Sequence, residues 1–100
     1  MEEELNALAE AADMAARFIA ENTKATMIAE ASMAKTHAEA EIFKARHQSA
    51  GQRELHAQRL QMVNEQLRLA QEFDAETLYE RLMDSIRHVG RTASSSVFGA

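Results

Sequence analysis

The sequence contains no cysteine, no proline and no tryptophan, and its only glycines are Gly51, Gly90 and Gly99. Without cysteine there can be no disulfide, no thiolate metal ligand and no thiol nucleophile. Without proline nothing interrupts a helix outright. Valine occurs only at Val63, Val89 and Val97 and tyrosine only at Tyr79, so strand formers are scarce and the composition predicts an all-α fold. No stretch approaches the ~20 apolar residues that span a bilayer. The opening MEEEL is acidic where a secretory signal is basic. These absences predict a chain with no secretory signal and no transmembrane span.

Alanine is what the chain has in abundance, with fifteen in residues 1–50 and five in residues 51–100. From Glu2 to Gln48 nothing stops a helix, apart from a soft spot at ENTKAT where Asn22 and Thr23 could fray it or cap a restart. In HQSAGQREL, Ser49 and Gln52 fit a capping box around Gly51, the one conformationally free residue in the middle of the chain. A second helix then runs to Val89, with Gly90 suited to a left-handed position just past its end. Within it, Phe73, Asp74 and Leu78 stand as staple, N-cap and fourth helical position, which allows a kink or restart at Asp74. Residues 1–90 thus read as one helical domain, and RTASSSVFGA, residues 91–100, as a flexible Ser/Gly-containing tail.

Met27, Ala31, Ala34, Ala38, Ile42 and Ala45 fall on one helical face. Small residues there let a partner backbone come close, and the bulk is then supplied by Leu60, Val63, Leu67, Ala70, Leu78, Leu82 and Val89 of the second helix. This pairing predicts a long helical hairpin, about 2–48 and 52–89. A near-continuous rod through Gly51 is the other arrangement, since one glycine costs a helix only about 1 kcal/mol. A further row, Leu55, Met62 and Leu69 with Phe73, lies roughly opposite the Leu60–Leu67–Leu78 row. A hairpin covers only one of the two. The uncovered row predicts association into a helical homo-oligomer, with the chain itself as partner.

The net charge of −5 is uneven. Residues 1–16 carry five acids and no base, residues 60–84 carry six acids against Arg68 and Arg81, and no acid follows Asp84. Solvated helix faces account for this, and a head-to-tail contact between chains is the sharper alternative. No Lys/Arg cluster stands out, which disfavours binding nucleic acid through a basic surface, and no sequence-specific nucleic-acid partner is expected.

The four histidines raise the question of a metal. Di-metal carboxylate bundles need Glu three residues before His, whereas Ala34, Lys44, Arg53 and Ser85 precede His37, His47, His56 and His88 at that spacing. His37 and Glu41, one turn apart and following Glu30, read instead as a surface pair. Ser94, Ser95 and Ser96 have no G-x-S-x-G around them, and the glycine spacing forms no phosphate-binding loop. Met27, Met33 and Phe43 read as packing rather than a ligand pocket. No catalytic, metal or cofactor site is expected, and the chain reads as a non-enzymatic structural protein.

Two stretches, ATMIAEASMAKTHAEAEI and DSIRHVGRTASSS, resemble the small internal virion (DNA-ejection) proteins of short-tailed bacteriophages. The resemblance rests on Met27, Ile28, Ala29, Ala34, Glu41 and Ile42, and on Ser85, Ile86, Arg87, Gly90 and Ser94–Ser96. It implies packaging in a virion, oligomerisation about the portal or tail axis, other virion proteins as partners, and release with the genome. The apolar N-terminal segment that such proteins can carry is not seen, so envelope insertion is not implied. Two other classes fit long alanine-rich helices: a phasin-like coat on an apolar surface, and a secretion-apparatus rod or needle subunit, which typically has a proline-containing turn. The location expected is a virion or the cytoplasm.

Overall fold

A computed structural model describes residues 1–98, with side chains as far as Arg91. It contains three α-helices joined by short breaks, α1 (Glu2–Lys44), α2 (Ala50–Glu72) and α3 (Ala75–Phe98), and no strand among the described residues. The all-α expectation holds, and the breaks are where local chemistry makes them.

Glu2, Glu3 and Glu4 open α1, where carboxylates favour the positive end of the helix dipole. The expected soft spot at Asn22–Thr23 is not a break. Thr23 donates its hydroxyl to the Ile19 carbonyl at 2.7 Å, as Thr36 does to Ser32 at 3.1 Å, so the side chain is satisfied within the helix. After Lys44 the chain tightens into a 3₁₀ turn, Ala45–His47, and Gln48 becomes extended. Ser49 then caps α2, its Oγ accepting from the Gln52 N–H at 3.3 Å, which is one half of the capping box. Gly51 therefore lies inside the first turn of α2 and not in the bend. No residue here needs a left-handed backbone.

The second arm is split in two. Phe73 has φ −56° and ψ 127°, outside helical geometry. Asp74 restarts the chain as α3: its Oδ1 accepts from the N–H groups of Glu76 and Thr77 at 3.0 and 3.2 Å, and its Oδ2 from the Thr77 hydroxyl at 2.7 Å. Three bonds to one carboxylate explain why the restart prevails over a continuous helix. At the far end the expectation of a stop at Gly90 is corrected. Gly90 is helical and α3 continues through part of the supposed tail to Phe98, because alanine, threonine and serine tolerate a helix that no proline ends. The last two tail residues, 99 and 100, lie outside the described residues.

The chain forms two compact units, one made of Met1–Thr23 and the segment from Asp74 onward, the other of Lys24–Phe73. The 24–73 unit is a helical hairpin. From α1 it buries or half-buries Met27, Ala31, Ala34, Ala38 and Ile42, from the 3₁₀ turn Ala45, from α2 His56, Leu60, Val63, Leu67 and Ala70, and just past α2 Phe73. On α1 each position recurs after eleven residues (27 and 38, 31 and 42, 34 and 45), a period near that of a straight helix. In the other unit α1 buries Ala16 and Ala20, while α3 half-buries Leu78, Tyr79, Leu82 and Met83. Val89, expected in the packing, is 65% exposed. The antiparallel register set by Asp13 with Tyr79 and Arg17 with Glu76 carries Val89 toward the acidic first turn of α1, where Leu5 is also left 62% exposed.

Among the described residues every buried one is an alanine: Ala16, Ala20, Ala31, Ala38, Ala45 and Ala70. Two outcomes follow from this packing. Gly51→Ala and Gly90→Ala, at helical positions with nothing within 4 Å of a new Cβ, should each raise stability by up to about 1 kcal/mol. Ala38→Leu, at a position only 4% exposed, should lower it by about 1–3 kcal/mol through overpacking. Thermal melts followed by circular dichroism would show both signs, and a neutral Ala38→Leu would mean that the helix contact is loose.

Candidate association surface

On α2, Leu55, Met62 and Leu69 recur every seven residues and are 58%, 65% and 53% exposed. They form an apolar row on the flank of the helix. Phe73, assigned to the same row, is half-buried, so it belongs in part to the packing of its own unit. The row lies about 160° from Leu60 and Leu67, nearly opposite them, but only about 100° from His56, Val63 and Ala70, so it flanks the packed stripe. Successive residues turn about 100°, which sets Leu69 one step from the buried Ala70. Leu69 accordingly borders a shallow hollow with Met27, Ala31 and Ala70. Leu69 thus sits at the seam of the hairpin, whereas Met62 borders a hollow lined by α2 residues, Gln58, Gln61, Glu65 and Gln66.

Polar residues beside this row are held by Arg68. Its Nε donates to Glu65 at 3.0 Å and its Nη1 to Glu72 at 2.7 Å, while Nη2 also meets Glu65. The hydrogen bond from Arg68 holds the Glu65 carboxyl below its ordinary range, and the same contacts raise the Arg68 guanidinium. This network covers one flank of α2 with charge and leaves the Leu55–Met62–Leu69 flank apolar. Further apolar side chains stand exposed on α1, among them Met14, Phe18, Met33 and Phe43.

A second cluster fixes the unit formed by α3 and the start of α1. The Tyr79 hydroxyl donates to Asp13, and the Arg17 guanidinium lies 4.0 Å from the centre of the Tyr79 ring. Arg17 is also 3.6 Å from Asp13 and 3.6 Å from Glu76. The bond to Asp13, aided by burial, pushes the Tyr79 phenol up against the opposing pull of Arg17. Burial opposes the charge on Arg17, but Tyr79, Asp13 and Glu76 together raise it. Sequence reasoning missed this cluster because residues 13 and 79 are neighbours only once the chain doubles back.

Other expectations fall on the surface. His37 is exposed, and Glu41 pairs with Lys44 at 3.7 Å rather than with His37. Among the described residues no three His, Cys, Asp or Glu side chains converge as a metal site would require. No described helix is long and apolar enough to cross a membrane. The chain matches no protein-family profile, no curated protein and no solved structure.

The Tyr79 cluster gives a pH dependence with a definite sign. The folded chain holds the phenolic proton more tightly than the unfolded chain, whose tyrosine titrates near pH ~10. Its contribution is therefore complete below about pH 10 and is lost as pH rises through the higher folded value. Tyr79→Phe should lower the melting temperature at pH 8 and flatten its decline between pH 9 and 11. An unchanged alkaline limb in the variant would show that Tyr79 carries none of it.

Proposed function

We propose that the protein is a non-enzymatic structural component that works as a homo-oligomer, with copies meeting along the Leu55–Met62–Leu69 flank of α2. The observation that carries this reading is the inverted distribution of bulk. The buried positions are alanines, whereas leucine, methionine and phenylalanine side chains stand exposed. Burying a methylene is worth about 0.8 kcal/mol, so a chain that leaves its largest apolar groups in water gains most by covering them with another surface. A second copy presents the same row, and a two-fold contact uses one patch twice. The resemblance of Met27–Ile42 and Ser85–Ser96 to small ejection proteins supports a phage virion as the setting, with an internal or portal–tail-associated place for the assembly.

The test is mass by light scattering together with far-ultraviolet circular dichroism. Wild-type chain should form a defined oligomer. Met62→Glu combined with Leu69→Glu should reduce it to monomer with most of its helical signal retained, because glutamate is a good helix former and acts here on the contact. Leu67→Glu, which places charge between α1 and α2, should instead lower helicity. A double variant that keeps the wild-type mass would remove this row from any interface. Binding of monomers to neutral liposomes would favour a surface coat in its place.

Association should also set thermal stability. An alanine-lined contact stabilises little against the cost of ordering the backbone, so the melting temperature should rise with protein concentration. A monomer with a sharp, concentration-independent transition above about 80 °C, beyond the usual range of mesophile domains, would contradict this.

A further inference from the structure

At the turn end of the 24–73 unit, Ile42, Ala45, Arg46, Arg53 and His56 line a cleft of about 180 Å³. At roughly 30 Å³ per water, it has room for several waters or for one phosphate group. Its base, Ile42 and Ala45, is half-buried to buried, and its polar lining is basic without a carboxylate. Arg46 comes from the 3₁₀ turn, and Arg53 and His56 from the first two turns of α2. The bend brings together cations from its two sides.

Three further observations bear on this cleft. Among the described residues neither Arg46 nor Arg53 has a carboxylate partner. Arg46 instead lies 4.5 Å from the centre of the Phe43 ring, which holds its guanidinium in position. His56 Nδ1 is the one buried side-chain polar atom found without a hydrogen bond among the described residues. An unpaired buried polar atom costs free energy, and a turn of the ring toward an acceptor in the cleft would remove that cost. The charge around the bend points the same way. Residues 44–59 hold four of the chain's eleven lysines and arginines against the single acid Glu54, in a chain of net charge −5.

We propose that this cleft binds a phosphate group, with Arg46 and Arg53 as the charged donors and His56 as a third. Two guanidinium forks offer paired N–H groups to the oxygens of a tetrahedral anion, a geometry that lysines cannot reproduce. A single phosphate removes the mutual repulsion of the unpaired arginines. The group can belong to a small polyphosphate or to a nucleic-acid backbone. In the second case the contact carries no base sequence, and it departs from the sequence reading, which found no Lys/Arg cluster because the bases of the bend are spread over residues 44–59.

The experiment titrates the full chain with pyrophosphate and, separately, with a mixed-sequence oligonucleotide, following the Arg, His and backbone resonances by NMR. Shifts should concentrate at Arg46, Arg53 and His56. Arg46→Gln with Arg53→Gln should weaken binding at least about tenfold, as expected for lost charge-assisted bonds. With the oligonucleotide it should also reduce the salt slope by about two. Arg53→Lys, which keeps the charge and the fold, should weaken pyrophosphate binding measurably. Arg68→Gln, remote from the turn, should have no effect. Binding of pyrophosphate alone assigns a small phosphate ligand, and binding of the oligonucleotide alone assigns a polymer backbone; each supports the site. Shifts spread evenly over Arg59, Arg81, Arg87 and Arg91, or binding that survives the double substitution, would overturn it.

Discussion

The contact between α1 and the helices that return along it is made through alanine, and most of the structure follows from that constraint. A methyl group on the facing surface lets two backbones approach toward the short end of the 8–10 Å range for packed helices. It also contributes little burial, so half-buried Leu60, Val63 and Leu67 of α2 and Leu78 and Leu82 of α3 must supply the bulk. On α1 the small residues recur with an eleven-residue period, close to that of an undistorted helix. On α2 the stripe His56, Leu60, Val63, Leu67 and Ala70 keeps a seven-residue period, which drifts about 20° per heptad on a straight helix. A short α2 tolerates that drift, and the break at Phe73 comes before it accumulates.

Since apolar bulk is thin, directional interactions set the local geometry. Ser49 and Asp74 satisfy the exposed N–H groups at the starts of α2 and α3, and so fix where each helix begins. The Tyr79–Asp13 bond and the Arg17 contacts with Glu76 and the Tyr79 ring define the register in the unit they share. These groups are mostly in contact with water, so their energies are modest and sensitive to salt. Their geometric role does not depend on large energies. A register is chosen when one alignment brings the Tyr79 hydroxyl to Asp13 and Arg17 to the Tyr79 ring, contacts that a shift by one turn would break.

The sparing use of bulk inside also explains the surface. Leucines, methionines and phenylalanines that a larger domain would enclose are left outside. Charge is distributed with a similar division. Acids dominate the start of α1 and the region around the α2–α3 break, while the bend between α1 and α2 collects bases.

The sequence by itself determined the helical class, the alanine stripe on α1, the cap at Ser49 and the exposed Leu55–Met62–Leu69 row. Each depends on residues within one or two turns of each other, where spacing and side-chain chemistry suffice. It also offered Asp74 as a restart without deciding between that and a continuous helix; the choice came from three bonds converging on one carboxylate. Gly90 lies within α3 rather than past its end, since a glycine can end a helix or be carried within one and composition does not distinguish the two. Tertiary structure alone decided that Val89 is exposed, that Phe73 is half-buried, that Asp13 meets Tyr79, and that Arg46, Arg53 and His56 border one cleft. Those pairings depend on the angle of a bend and the register of returning helices, which are set by contacts between residues far apart in the chain.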